Sequence, residues 1–237
     1  MFARRHMALG LCALFFLCSA SARQISGSEI LENVERNLAG VRDFVVNLEI
    51  DVNMDRLRMP RMKAAMYFKQ PDKFHFDASD FAMIPREGIF LNARFLRDRY
   101  DIVLSGQETV AGKSIYKLQL AAKEISARIR QMHVFVDASN WTIARMEMAP
   151  VPGRVATFEF TYSHQQEAHW LPAQLVASFS TVERDSTVAL PELAQEMTPR
   201  YNEMRRALRS GSITVAYTNY RINTNLPDDL FSRPEKE

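Results

Sequence analysis

The residues with chemistry to offer are few, and their spacing does not assemble them. His164 and His169 flank the polar stretch H-Q-Q-E-A-H. A zinc-binding helix wants histidines four apart with a third ligand elsewhere. These are five apart in what the pattern makes a hairpin loop, so they read as solvated loop residues. His75 and His133 stand singly on expected strands, as surface residues. Asp77 with Asp80, and Asp228 with Asp229, are carboxylate pairs. Acid–base work needs such groups opposed across a cleft with their pKa values pushed apart; neighbours in a turn are turn or cap residues. Ser105-Gly106 and Ser210-Gly211-Ser212 read as turn serines, with no G-x-S-x-G elbow and no glycine-rich phosphate loop. The expectation is a protein that is not an enzyme and holds neither metal nor cofactor.

Two further groups bear on binding. Met54, Met59, Met62 and Met66 lie close together, and Met146 and Met148 share a strand face. Thioethers repack around ligands of varied shape, and they also serve as ordinary core filling. A copper(I) site suits thioethers chemically, but no His or Cys shares the spacing. Arg200, Arg205, Arg206 and Arg209 stripe a late helical segment and form the best basic patch of the chain. They would meet lipid phosphates or an acidic partner, or simply face water.

The elements that must position these residues are mostly strands. Val46, Leu48, Ile50, Val52 and Met54 alternate with Asn47, Glu49, Asp51 and Asn53. The same alternation returns at Met132/Val134/Val136, at Ala156/Phe158/Phe160/Tyr162 and at Ile213/Val215/Tyr217. Period-two patterning of this kind belongs to antiparallel sheet with one covered and one wet face. A first strand runs from about Asp43 to Met54. Met62–Lys69 and a strand through Phe74 and Phe76 form a hairpin about Gln70-Pro71-Asp72. The stretch Phe81 to Arg97, with Pro85 and Gly88, reads as loop with short strands. Tyr100–Leu104 leads into a pair turning at Ala111-Gly112. Met132–Asp137 and Thr142–Met148 turn at Ser139-Asn140, and Val155–Tyr162 and Leu171–Val182 join through a polar tip from Ser163 to His169. The last strand is Ile213–Ile222, and the tail after Arg233 reads as disordered.

Two helices accompany the strands. Ser26 and Glu29 make an S-x-x-E capping box before the stripe Ile30, Leu31, Val34 and Leu38, with Gly40 as the stop. Later, Leu193, Met197, Tyr201, Met204 and Leu208 recur at helical spacing after Thr198-Pro199, ended by Gly211.

Arg4 and Arg5, the apolar run Ala8 to Cys18 and Ala20-Ser21-Ala22 have the order of a secretory signal peptide over residues 1–22. Its removal would take both cysteines, Cys12 and Cys18, so an exported chain would rest on its core and not on disulfides. It would also leave 28 basic residues against 28 acidic ones, a balance that argues against a nucleic-acid partner. No later segment is long and apolar enough to span a membrane. The expected organisation is one domain over residues 23–233 with a short tail at 234–237.

The order of several segments resembles a known family. The hairpin Y-F-K-Q-P-D-K-F-H-F (Tyr67–Phe76) is followed by G-x-E-x-V-x-G-K-x-x-Y-x-L-x-L from Gly106. V-F-V-D (Val134–Asp137), W-T-I-A-R-M-E (Trp141–Glu147) and the closing Y-R-I-N-T-N-L-P-D-D-L-F (Tyr220–Phe231) come next. Together these resemble the LolA/LolB-like superfamily of periplasmic lipoprotein carriers, which includes lipoprotein-sorting proteins and MucB/RseB-type sensor domains. The chain departs from the carriers' pattern at His75, where Arg or Asn is usual, at Met83 to Asp101, which replaces a D-G-x-x-L-W-x-Y strand, and in an inserted helix around Leu190 to Ser210. It therefore resembles a LolA-like member more than the lipoprotein carrier itself.

The resemblance implies a mainly β (α+β) fold, a curved antiparallel sheet forming an incomplete β-barrel closed by the N-terminal helix and the late amphipathic helix. It also implies a periplasmic protein taking acyl chains of lipids or lipoproteins into an apolar cavity, for transport or sorting towards the outer membrane. Strand parity then gives the lining: Leu48, Ile50 and Val52; Met66 and Phe68; Leu118 and Leu120; Val134 and Val136; Met146 and Met148; Phe158 and Phe160; Phe179; and Val215. Ile30, Val34 and Leu38 of the first helix, with Met197, Tyr201, Met204 and Leu208 of the second, would serve as lid. A sensor module of the same fold, docking an inner- or outer-membrane protein partner, is the alternative.

Overall fold

The computed structural model describes residues 25–54, 57–58, 60–77, 92–127, 129–149, 154–165, 169–181 and 210–232. Residues 1–22 with the expected signal peptide, the late helix with its Met197, Tyr201, Met204, Leu208 and four arginines, Asp80 and the tail lie outside them.

The alternating segments form strands β1 (Asp43–Met54), β2 (Leu57–Arg58), β3 (Met62–Lys69), β4 (Lys73–Asp77), β5 (Tyr100–Val110), β6 (Lys113–Ala122), β7 (Gln131–Asp137), β8 (Thr142–Met148), β9 (Arg154–Gln165), β10 (His169–Thr181) and β11 (Gly211–Ile222). They make one antiparallel sheet in the order β4-β3-β1-β11-β10-β9-β8-β7-β6-β5, with β2 paired to β1 off that path. The two end strands, β4 and β5, do not pair with each other among the described residues. The result is the mainly β, incomplete barrel that the family resemblance implied. β5 to β10 follow as a meander, while β1 sits between β3 and β11 and so ties the two ends of the chain together.

Helix α1 (Gly27–Asn37) forms where the sequence places it. Glu29 donates its backbone N–H to the Ser26 hydroxyl at 3.2 Å, and the Ser26 N–H bonds the Glu29 carboxylate at 2.8 Å. The helix ends at Asn37 with Leu38 as its cap, two residues before the expected Gly40 stop. Its Ile30, Leu31 and Val34 are buried in the same cluster as the sheet's inner side chains.

Three local readings need correction. Residues 93–97, expected as loop or strand, belong to a second helix, α2 (Ala93–Arg99). Asn92 caps it by accepting from the N–H groups of Arg94 and Phe95 at 3.0 and 3.4 Å. A seven-residue helix burying only Ala93 and Leu96 gives too few repeats for its period to show. Ser105 is not in a turn: it sits in a bulge of β5 between Leu104 and Gly106, its hydroxyl donating to the Lys117 carbonyl at 3.0 Å. Gly211 and Ser212 open β11 and do not form a turn. Gly211 holds φ +146°, and a side chain there would strike the Asn53 carbonyl.

Candidate functional site

The inner face of the sheet is one continuous apolar surface, and cross-strand register shows why. Directly opposed residues project to the same side. Phe68 faces Phe44 and Phe74, and Met66 faces Val46 and Phe76. Leu48, Ile50 and Val52 face Tyr217, Val215 and Ile213, and Val215 in turn faces Leu175. Phe160, Phe158 and Phe179 stand opposite Leu175, Ala177 and Ala156. Met146 lies between Phe158 and Val134, and Met148 opposite Ala156 and Met132. Leu118 and Leu120 continue the row from Val134 and Met132 to Leu104 and Ile102 on β5. Val136 faces Ile143 and Tyr116.

All fifteen residues read from parity as the lining thus fall on one face. Thirteen are buried; Met148 and Phe179 are half-buried and pack against the others. Ile30 and Val34 of the expected lid are buried with them, and Leu38 packs alongside. The lining read from parity left out Leu171, Leu175 and Ile143, and the alternation that carried Tyr162 and Tyr217 onto this face did not count them in it.

The surface has two unlike ends. At one end, the β1 start, β3 end and β11 end bring together Phe44, Phe68, Phe74 and Tyr220, with ring centroids 5.0 to 5.5 Å apart. Tyr116 and Trp141 stack there at 6.0 Å, and Phe160 and Tyr162 meet at 6.4 Å. The opposite end, at the β1 end and β7 start, carries Met54, Met62, Met132, Met146 and Met148. The sequence cluster at Met54 and Met62 is therefore joined across the barrel's interior by a second methionine group on β7 and β8. Met59 lies outside the described residues.

The tyrosines of the aromatic end are anchored by their hydroxyls. Tyr162 donates to the Ile143 carbonyl at 3.0 Å, and Tyr220 to the Pro172 carbonyl at 2.8 Å. Burial pushes the phenols of Tyr162, Tyr217 and Tyr220 well above the ordinary tyrosine range, and for Tyr217 and Tyr220 the neighbouring tyrosines add to the rise.

Helix α1 crosses this face. Its first residue, Gly27, lies so close to β5 that a side chain would meet Ile102 at 2.7 Å and the Leu104 backbone nitrogen at 3.2 Å. Arg97 of α2 grips it from the side, bonding Glu32 at 2.9 Å and Glu35 at 2.6 Å. Beyond the helix, the ring of His169 fills the space a side chain at Gly40 would take, with its Cε1 2.7 Å from that point.

Of the residues weighed for catalysis, Asp228, His75, His164 and His169 serve as supports, as does Asp137. Lys73 and Lys69 hold the exposed Asp228 carboxyl down to about 2. Burial pushes Asp137 up, but the Ser139 hydroxyl and N–H and Lys113 outweigh it and leave its carboxyl below the usual range. His75 stacks on Tyr67 at 5.8 Å. His164 and His169 belong to β9 and β10 and not to a solvated loop, and His164 packs its ring on Trp170 at 4.0 Å. Among the described residues no three His, Cys, Asp or Glu converge as metal ligands, and no helix is long and apolar enough to cross a membrane. A recess of about 440 Å³ lined by Asn47, Asn219, Tyr220 and Arg221 is polar and open, at the register shift between β1 and β11. It is unlike the apolar cavity expected for an acyl chain.

No family model and no curated relative matches the sequence. Solved structures do match the fold. A domain from Vibrio parahaemolyticus, provisionally named an outer membrane lipoprotein-sorting protein domain, superposes with TM-score 0.63 at 11% identity over 86% of this chain and 95% of that one. A LolA superfamily protein from Nitrosomonas europaea gives 0.60 at 14% identity, covering 89% and 99%. A DUF1329 family protein from Desulfovibrio piger gives 0.58 at 13%, covering 86% and 95%. The fold expected from the order of the hairpins is thus the fold observed.

Proposed function

We propose, from the LolA-type fold and the apolar face it presents, that this protein is a periplasmic, non-enzymatic binder of acyl chains, taking lipids or lipoproteins for transport or sorting. The observation that supports this most is the single uninterrupted apolar surface running from Phe76 on β4 to Ile102 on β5, in a barrel whose end strands do not pair with each other among the described residues and which α1 crosses. The methionine end is where a chain would lodge, because thioether side chains re-form around a guest at low cost. Met148 and Phe179, already half-buried there, would be among the first to touch it. The late segment with Met197, Tyr201, Met204 and Leu208 would complete the cover.

Binding of this kind scales with the methylenes buried, at about 0.8 kcal/mol each, or about fourfold in Kd per carbon. Saturated dansyl-labelled fatty acids of increasing length, titrated into the delipidated protein, should show that gradient until the interior is filled. Met148→Asp should remove it while leaving the circular dichroism of the sheet intact. Affinity that ignores chain length would sink the proposal, as would protein purified from the periplasm that carries a stable protein partner and no lipid in native mass spectrometry.

A further inference from the structure

The ladder of the sheet is not continuous on both sides of the β9–β10 hairpin. β9 and β10 pair with each other all the way from Arg154↔Thr181 to Gln165↔His169. Their outer neighbours let go earlier. β8 pairs with β9 only from Met148↔Ala156 to Arg145↔Glu159, so Thr142 to Ala144 find no ladder partner on β9. β10 pairs with β11 only as far as Gln174↔Ala216, so β11 from Tyr217 onward pairs with β1 alone. A register shift at Pro172/Gln174 marks this parting, and Pro172, lacking an N–H, cannot extend a ladder.

Two phenols span the two seams. The Tyr162 hydroxyl crosses from β9 to the Ile143 carbonyl of β8, and the Tyr220 hydroxyl crosses from β11 to the Pro172 carbonyl of β10. The far end of the hairpin rests its His169 ring against Gly40, between α1 and β1. Within the hairpin, four successive cross-strand pairs and the His164–Trp170 ring contact hold the two arms together. Leu171 and Pro172 of its β10 arm are both buried.

We infer that the outer arms of β9 and β10, residues 162–165 and 169–172, form a flap latched by Tyr162 and Tyr220. We infer also that its outward swing, hinged at the Pro172/Gln174 bulge, opens the barrel wall to admit an acyl chain. This rests on the binding proposed above, and it gives that binding a route. Swinging the flap breaks the two phenol bonds and the Gly40 contact and uncovers the buried Leu171 and Pro172, but it breaks no rung of either outer ladder. The freed carbonyls of Ile143 and Pro172 then face water at the seam, where they are solvated.

Two variants and one probe test this. Tyr162→Phe with Tyr220→Phe removes only the hydroxyls. Amide exchange across 162–165 and 169–172 should rise about fivefold for each lost bond, with no change across 154–161 and 174–181. Gly40→Cys with His169→Cys removes the ring that crowds Gly40 and places two thiols to pin the flap, the 40–169 link being checked by peptide mass. Uptake of dansyl-undecanoic acid should slow at least tenfold in the oxidised double-cysteine protein, recover with reductant, and speed up in the double-phenylalanine protein. Equal uptake rates in the oxidised and reduced forms would overturn the flap as route while leaving the binding proposal intact. No uptake by the unmodified protein would sink the binding proposal and the route with it. Unchanged exchange in the double-phenylalanine protein would overturn the latch whatever the uptake.

Discussion

The two ends of the barrel's interior solve the same burial problem with different side chains. At one end, interlocking rings of Phe44, Phe68, Phe74 and Tyr220 leave little freedom, because aromatic side chains have few rotamers and fixed contact geometry. That end is also tied by polar bonds: the buried Asp43 carboxylate accepts from the Thr224 N–H at 2.7 Å and the Asn225 N–H at 3.1 Å, fixing the turn after β11. At the other end, Met54, Met62, Met132, Met146 and Met148 fill the space with unbranched, polarizable chains. The difference teaches that a single apolar face can be rigid where it anchors the fold and pliable where it would meet a guest.

The sharpest way to break that comparison is alkaline pH. Tyr162, Tyr217 and Tyr220 keep their protons in the folded chain well above the ordinary tyrosine range. Above pH 10 the unfolded chain has released protons that the folded chain still holds, so stability present below pH 10 is lost as pH rises. The slope should be about 1.4 kcal/mol per pH unit for each tyrosine, roughly 4 for the three together. Urea titrations from pH 9 to 11 would measure it, and replacing any one of the three by Phe should remove a third of the slope.

A large truncation tests the anchor directly. Phe44 is fully buried, and Phe44→Ala should cost about 3–5 kcal/mol in denaturant unfolding. A loss under about 1 kcal/mol would mean that the aromatic end repacks as freely as the methionine end. A smaller effect is expected where α1 begins, near β5. Ser26→Ala deletes one half of the capping box and should cost about 1 kcal/mol, with exchange rising first at the amides of residues 27–30.

The smallest change is expected at the pliable end. Met132→Leu with Met148→Leu conserves volume at a directly opposed pair, and stability should move by less than about 1.5 kcal/mol. Affinity for branched or unsaturated acyl probes should fall more than affinity for straight ones, since leucine cannot follow an irregular guest. Equal losses for both probe types would remove the distinction drawn between the ends.

Much of this arrangement was legible in the sequence because strand burial has a period of two. The bounds Asp43 and Met54 of β1 and Met62 and Lys69 of β3 read directly, as did the capping box of α1 and the turn at Ala111-Gly112, whose φ values of +50° and +80° suit a tight hairpin. Parity also grouped the proposed lining residues on one face of the sheet. What could not be read was non-local. Nothing in the residues near Asp43 says that β1 lies between β3 and β11. The bulges at Ser105 and Pro172 shift parity without a compositional mark. The seams beside β9 and β10, and the phenols that cross them, follow from where ladders stop, which no local pattern encodes. His164 and His169 looked like loop residues because the polar run between them hid two strand ends.

The pairing of β1 with β11 has a consequence for how the chain is made. Phe44 stands opposite Ile222 and Ile50 opposite Val215, so an early strand must wait for the last one to be synthesised. Until then β1, β3 and β4 form a small three-stranded unit with an open hydrogen-bonding edge and an uncovered apolar face. Closing so long a loop is slow and leaves that edge available to other chains. Assembly of the sheet therefore waits for β11: a nascent or truncated product that stops short of Gly211 keeps that edge open to other chains.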